Sequence, residues 1–234
     1  MKLTEFEIKK LINEEVAKVF AEAKINPRIF SNRSRFPNIG SIVAFLRKDP
    51  SARFLGEGSS RTVYAIDSKR VLKIAINEKG LGQNKAEMEI STDSRTGNLY
   101  AKILDYDPNF EWLVSELVKP LVSGGEFENL TGCSWSMFRA FLSELFGLRK
   151  ITLEQAVANL RTRFGEESEK QINDCLKNPW FLSTIKGLRN TELLSGDLTL
   201  IDHWGKTPQQ NVVLLDYGFT EDVYQRFYED VRLG

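Results

Sequence analysis

The chain has 234 residues, 41% hydrophobic and 27% charged, with 32 basic side chains against 32 acidic ones. A chain of this size and composition buries a core without structural crosslinks, which excludes peptide, coiled-coil, collagen and disordered classes. The balanced charge gives no global field for nucleic acid, and two cysteines, Cys133 and Cys175, with a single histidine exclude a zinc cluster or a disulfide framework.

The N-terminus, Met1-Lys2-Leu3-Thr4-Glu5-Phe6-Glu7, is charged every few residues, and no stretch of the chain is apolar enough to span a bilayer. The expectation is a protein of the reducing cytoplasm. Thr4 and Glu7 form a capping-box pattern, after which Phe6, Leu11, Ile12, Val16, Val19, Phe20 and Ala23 recur at helical spacing until Asn26-Pro27. Lys24, Arg28, Arg33 and Arg35 follow without an acid, a run that reads as a solvated loop or a contact for phosphate or an acidic partner. A short helix is predicted from Ile39 to Leu46, closed by Asp49-Pro50.

From Arg53 the period changes to that of strands. Arg53 to Leu55, Thr62 to Ile66 and Val71 to Ala75 are β-branched or aromatic runs between polar turns, the pattern of an antiparallel meander. A helix is predicted from about Gly82 to Arg95, then strands over Ala101 to Tyr106 and Trp112 to Glu116. From Ser134 to Arg189 the apolar period is helical in three or four segments, broken at Gly147, Gly165 and Asn178-Pro179. A last strand, Asn211 to Leu215, precedes Asp216-Tyr217-Gly218, and Glu221 to Leu233 reads as a closing helix. The fold class is α+β, with a helical extension over 1–50, a five-stranded unit over 51–118 and a mainly helical unit over 119–234.

Three groups of residues carry chemistry. Gly56-Glu57-Gly58 lies between two predicted strands, which excludes the Rossmann and Walker loops and leaves a β-turn whose glycines let backbone approach an anion. The same tripeptide is also an ordinary hairpin turn. Val63, just beyond, would pack on the flat face of a base. Lys73 sits between Leu72 and Ile74, where a buried ammonium requires an anion; Glu87 or Glu89 of the following helix and the phosphates of a nucleotide are the candidates, Glu87 being preferred. The alternative is a solvent-facing lysine. In the third group, Gly196-Asp197-Leu198, Asp202-His203-Trp204-Gly205 and Val212 to Gly218, three aspartates lie close in sequence and would repel without a cation. His203 is open to a general-base role or to a structural one beside Trp204, which reads as core. Neither cysteine has a basic neighbour that would make it a nucleophile.

The ordered set Gly56, Gly58, Lys73, Glu87, the connector from Glu116 to Val118, Asp197, Asp202 and Asp216-Tyr217-Gly218 resembles the protein-kinase-like superfamily. It is closest to small atypical branches such as aminoglycoside-phosphotransferase-like and lipopolysaccharide-kinase-like proteins, and is similar to short kinase-like proteins of tailed bacteriophages. The resemblance implies a two-lobed fold and ATP with Mg2+. It makes Lys73 the lysine on the α- and β-phosphates, Glu87 its partner, Glu116 and Val118 the adenine-reading connector, Asp197 the catalytic aspartate and Asp216 the metal-binding one. Asp202 stands where the family has a metal-binding asparagine, and Arg61 replaces the third glycine of the loop, adding a phosphate contact. Sixteen residues follow Gly218, too few for a peptide-binding platform, so a partner or second subunit is expected to cover the helical unit. The implied activity is phosphoryl transfer to a hydroxyl of a protein or small molecule, with AMP transfer open. The alternative is a pseudokinase, a structural or regulatory protein such as a virion component or an inhibitor of a host protein.

Overall fold

The computed structural model describes residues 25–96, 98–147 and 149–229. The opening helix expected before Ala23 and the last residues of the closing helix lie outside them. The described chain is α+β and divides into two compact units: 25–84 with Lys102–Leu117, and Lys85–Ala101 with 118–229.

The first unit is built on a five-stranded antiparallel sheet of β1 (Arg53–Glu57), β2 (Arg61–Ala65), β3 (Arg70–Ala75), β4 (Ile103–Tyr106) and β5 (Trp112–Glu116). The order is β1-β2-β3-β5-β4: the first three strands form the expected antiparallel meander, β5 returns to pair with β3, and β4 becomes an edge. Strand alternation sends Tyr64, Leu72, Ile74, Trp112 and Val114 to one face, where they pack with Ile25, Phe30, Phe36, Ile42 and Leu46. Ile42 and Leu46 come from α1 (Ile39–Leu46), whose start is fixed by a reciprocal capping box between Asn38 and Ser41. Phe30, Phe36 and Phe45 meet edge to face, with ring centroids 5.2–6.0 Å apart. The basic stretch before α1 is tied down by acids from elsewhere in the unit: Arg28 reaches Asp105 at 3.0 Å and Arg33 reaches Glu111 at 2.8 Å. Both arginines are exposed, and both are paired within the unit.

A helix, α2 (Glu78–Thr92), follows β3. It begins four residues earlier than the apolar pattern suggests. Asn77 caps it by accepting from the Gly80 N–H, and its own amide nitrogen donates to the Ser59 carbonyl.

The second unit contains α3 (Gly124–Thr131), α4 (Trp135–Leu145), α5 (Leu153–Phe164), α6 (Glu169–Lys177), α7 (Pro179–Arg189), the one-turn α8 (Ser195–Leu198) and α9 (Glu221–Phe227). Their stops and starts follow the sequence. Gly165 ends α5 at φ 69, a backbone angle that favours glycine, and Asn178-Pro179 caps and opens α7. An aromatic core of Phe127, Phe138, Trp180, Phe181 and Trp204 joins the helices to a small antiparallel sheet of β6 (Lys119–Pro120), β7 (Trp204–Lys206) and β8 (Val212–Leu214). Of its strands, only β8 was visible in the sequence pattern, because it is an unbroken apolar run, whereas β6 is Lys-Pro and β7 is Trp-Gly-Lys. Among the described residues no helix is long and apolar enough to cross a membrane.

Cys133 and Cys175 are both buried in this unit, with their Sγ atoms 2.6 Å apart. The Cys175 contact first, and burial second, push the Cys133 thiol well above the ordinary range, so the thiolate is suppressed at neutral pH. Under reducing conditions a maleimide reagent is therefore expected to label neither cysteine in the native protein and both after denaturation. Rapid stoichiometric labelling of the native protein would contradict this burial.

Candidate active site

The glycine turn joins β1 to β2 through the pairs Gly56↔Val63 and Glu57↔Thr62. A Cβ built on Gly56 would meet nothing within 4 Å, and one on Gly58 only the Arg61 carbonyl at 4.0 Å. Neither glycine has the positive φ that marks the turn glycines Gly132 and Gly165. Local packing therefore gives no reason for glycine at either position, and the space above the turn is open to a ligand. The Gly58 N–H, however, is donated to the Arg61 carbonyl at 2.9 Å within the turn itself.

Arg61 is buried, and its guanidinium donates to Asn84 Oδ1 at 3.4 Å, while Asn84 in turn donates to the Phe110 carbonyl at 2.8 Å. Its side chain is thus packed into the first unit beside α2. Buried Ser60 donates to buried Gln83 at 2.5 Å, bracing the turn against the first half of α2. Gly80 lies at the same seam, where an added Cβ would fall 2.2 Å from the Ser60 carbonyl and 2.9 Å from Ala75. Sequence reading passed over this glycine, since nothing in a helical pattern marks a close backbone approach. Gly80→Ala is expected to destabilise the protein by about 1–3 kcal/mol through overpacking. Urea unfolding measures this, and a stability equal to wild type would show that α2 shifts freely.

Lys73 lies in β3 opposite Val63 on one side and Leu113 on the other. It is 7% exposed, which rules out the solvent-facing reading. The face it shares with Val63 and Leu113 is the one opposite the Leu72 and Ile74 core. Glu87 is fully buried, whereas the Glu89 side chain is 58% exposed and pairs with Lys85 at 3.7 Å. Helix phase, which the sequence left open, thus buries Glu87 and turns Glu89 to solvent. Its Oε1 accepts the Tyr217 backbone N–H at 3.4 Å, tying the second half of α2 to the segment that follows β8. In the connector, the Glu116 side chain accepts the Lys102 N–H at 3.0 Å and Leu117 donates to the Lys69 carbonyl at 2.7 Å. Val118 is buried with Ala101, Val213 and Leu215 in the second unit.

Asp197 is carried by α8, which is held at its start by Leu194 N–H to the Phe219 carbonyl at 3.1 Å and Ser195 N–H to the Phe146 carbonyl at 2.8 Å. The fully buried Trp204 donates its indole N–H to the Leu198 carbonyl at 2.9 Å, fixing the far end. Gly205 follows because β6 runs alongside: a Cβ there would sit 2.8 Å from the Lys119 carbonyl and 2.9 Å from Val118. Asp216 leaves the end of β8, and Tyr217 behind it is fully buried, with its hydroxyl donating to the Ala101 carbonyl at 2.7 Å.

These supports bring Asp197, His203 and Asp216 together, with one ligand atom of each lying within 4.8 Å of the others. All three are half-buried. Asp202, expected as the second metal-binding residue, is exposed and lies outside this group. The short 3-10 turn over Ile201–His203 turns its side chain to solvent and brings in the adjacent histidine. The single histidine carried a signal in its position next to Asp202, but residue type alone could not choose between the neighbours.

No protein-family model matches the chain, and no curated protein matches it in sequence. Among solved structures the chain is similar to the GDP complex of aminoglycoside 2'-phosphotransferase-IIIa, at 15% identity over 84% of this chain and 74% of that one, with a TM-score of 0.37. It is also similar to a choline kinase from Streptococcus pneumoniae, at 11% identity over 91% and 69% and a TM-score of 0.37. A third likeness is to a SAICAR synthase from Saccharomyces cerevisiae, at 14% identity over 73% and 74% and a TM-score of 0.35. Superpositions this distant do not assign an activity, so function must be argued from the residues.

Proposed function

We propose that the chain is a kinase-like phosphotransferase that uses ATP with Mg2+ and transfers phosphate to a hydroxyl acceptor. The observation that carries this reading is the convergence of Asp197, on α8, and Asp216, at the end of β8, on one half-buried patch. Carboxylate oxygens are the donors that magnesium takes, and they fit it here. When bound, the ion would neutralise charge on the phosphates. Asp216 is the residue assigned to hold it. Asp197 accepts a hydrogen bond from the acceptor hydroxyl and orients its oxygen for attack. Lys73 supplies a buried positive charge for the nucleotide phosphates, Glu87 fixes the Asp216 segment through Tyr217, and the open glycine turn lets backbone approach the ligand.

A binding protein on the same scaffold is the second reading, and one observation favours it. The Gly58 N–H and the Arg61 guanidinium, both expected at phosphate, are engaged inside the first unit. Parallel incubations with γ-labelled and α-labelled ATP separate the readings. Label on protein or acceptor from the γ position supports phosphoryl transfer, and label from the α position AMP transfer. Neither label, together with no ATP hydrolysis above an Asp197→Asn control, leaves the binding protein.

A further inference from the structure

We infer that His203 is a metal ligand, and that Asp197, His203 and Asp216 together form a site for a borderline divalent ion such as Mn2+ or Co2+ in preference to Mg2+. This deepens the phosphotransferase reading and rests on it for the ion's role in turnover, though the metal site itself stands on separate observations. The first is the geometry. Ligand atoms within 4.8 Å of one another need to close only slightly to surround one ion at 2.0–2.2 Å, a distance that keeps ligands within about 4 Å of each other.

The second observation concerns the imidazole. His203 Nδ1 is closed off from solvent and has no hydrogen-bond partner. An atom taken out of water and left unsatisfied carries its full desolvation penalty, so its environment calls for a partner. A carboxylate oxygen, Asp197 Oδ1, is 3.8 Å away, too far for a hydrogen bond and close enough for both atoms to share an ion. The histidine is also held from behind: the His203 carbonyl accepts the Leu215 N–H at 2.7 Å, which ties it to the strand end that carries Asp216. Ring and carboxylate therefore share one backbone anchor.

Ligand chemistry then decides the metal. Magnesium favours oxygen donors and keeps much of its water, whereas mixed nitrogen and oxygen sites bind first-row ions with an affinity that rises from Mn2+ to Co2+. Two carboxylates and one imidazole accept magnesium through oxygen alone. They hold a borderline ion through all three groups.

The test is metal binding by the tag-free, nucleotide-free protein, followed by calorimetry and by the visible absorption of bound Co2+. The wild type is expected to bind Co2+ or Mn2+ more tightly than Mg2+. His203→Asn is expected to lose on the order of tenfold or more in Co2+ affinity while its Mg2+ affinity stays within about twofold. Asp202→Ala is expected to change neither. Because the sequence has one histidine, the ring 15N signals of wild-type protein report the same contact without any substitution, and Zn2+ should shift them. Unshifted ring signals, or Co2+ affinity kept by His203→Asn with a native melting profile, would overturn the proposal. Neither outcome touches nucleotide binding. Conversely, Co2+ bound through His203 by a protein that shows no response to ATP would keep the metal site and remove the phosphotransferase reading.

Discussion

Lys73→Met is expected to abolish the thermal stabilisation that Mg-ATP confers on the wild-type protein. A ligand that binds only the folded state at a hundred times its Kd adds about 2.7 kcal/mol. For a chain of this length that corresponds to a rise in Tm of roughly 5–10 °C. Methionine keeps most of the lysine stem and removes the ammonium, so β3 retains its packing beside Val63 and Leu113. Loss of the response then reports the charge and not a repacked sheet. A buried ammonium interacts with phosphate in a low-dielectric setting, where the attraction is larger than at a surface. Scanning fluorimetry over a range of Mg-ATP concentrations measures the effect. If Lys73→Met is stabilised as much as wild type, the nucleotide does not use Lys73, and the assignment of this strand to phosphate binding falls.

Strand identity, the first helix and the helix breaks in the second unit were legible because they depend on local signals. Ile39–Leu46 runs between a capping asparagine and Asp49-Pro50, and Gly165 and Asn178-Pro179 punctuate the helices around them. Sheet order was not legible. β5 pairs with β3 because Leu72↔Val114 and Ile74↔Trp112 place large side chains on the same buried face, a non-local match that no window of sequence contains. α3 was missed although Ser123 and Glu126 form its cap, since its apolar content is low and the following segment drew the helical pattern.

The candidate site divides in the same way. Residues placed by the regular alternation of a strand or the end of one, such as Lys73 in β3 and Asp216 after β8, lie on the elements that the pattern predicted. Asp202 and His203 are adjacent on a 3-10 turn, where a rotation of one residue decides which side chain faces inward. Arg61 illustrates a third case. Its type marked it for chemistry, whereas its burial opposite Ala75 and its contact with Asn84 come from strand register and non-local packing.

Asp197→Asn is expected to reduce phosphoryl transfer by a factor on the order of 10²–10⁴, the range associated with losing a positioned acid–base group, while Mg-ATP affinity stays within about twofold at saturating magnesium. Asparagine has the same shape, and the backbone that carries Asp197 is anchored by contacts of its neighbours. α8 hangs from Phe219 and Phe146 carbonyls and is closed by the Trp204 indole, while the Phe219 ring lies 3.2 Å from where a Gly196 Cβ would be. The variant should therefore fold with the site in place. Asp216→Asn provides the contrast, because a residue assigned to the ion should lower nucleotide affinity and turnover together. Calorimetric titration with Mg-ATP alongside steady-state transfer distinguishes the two patterns. Equal losses of affinity in both variants would show that Asp197 acts through the nucleotide and not the acceptor. Full turnover in Asp197→Asn would remove it from the chemistry, leaving its place beside His203 and Asp216 as that of a metal ligand alone.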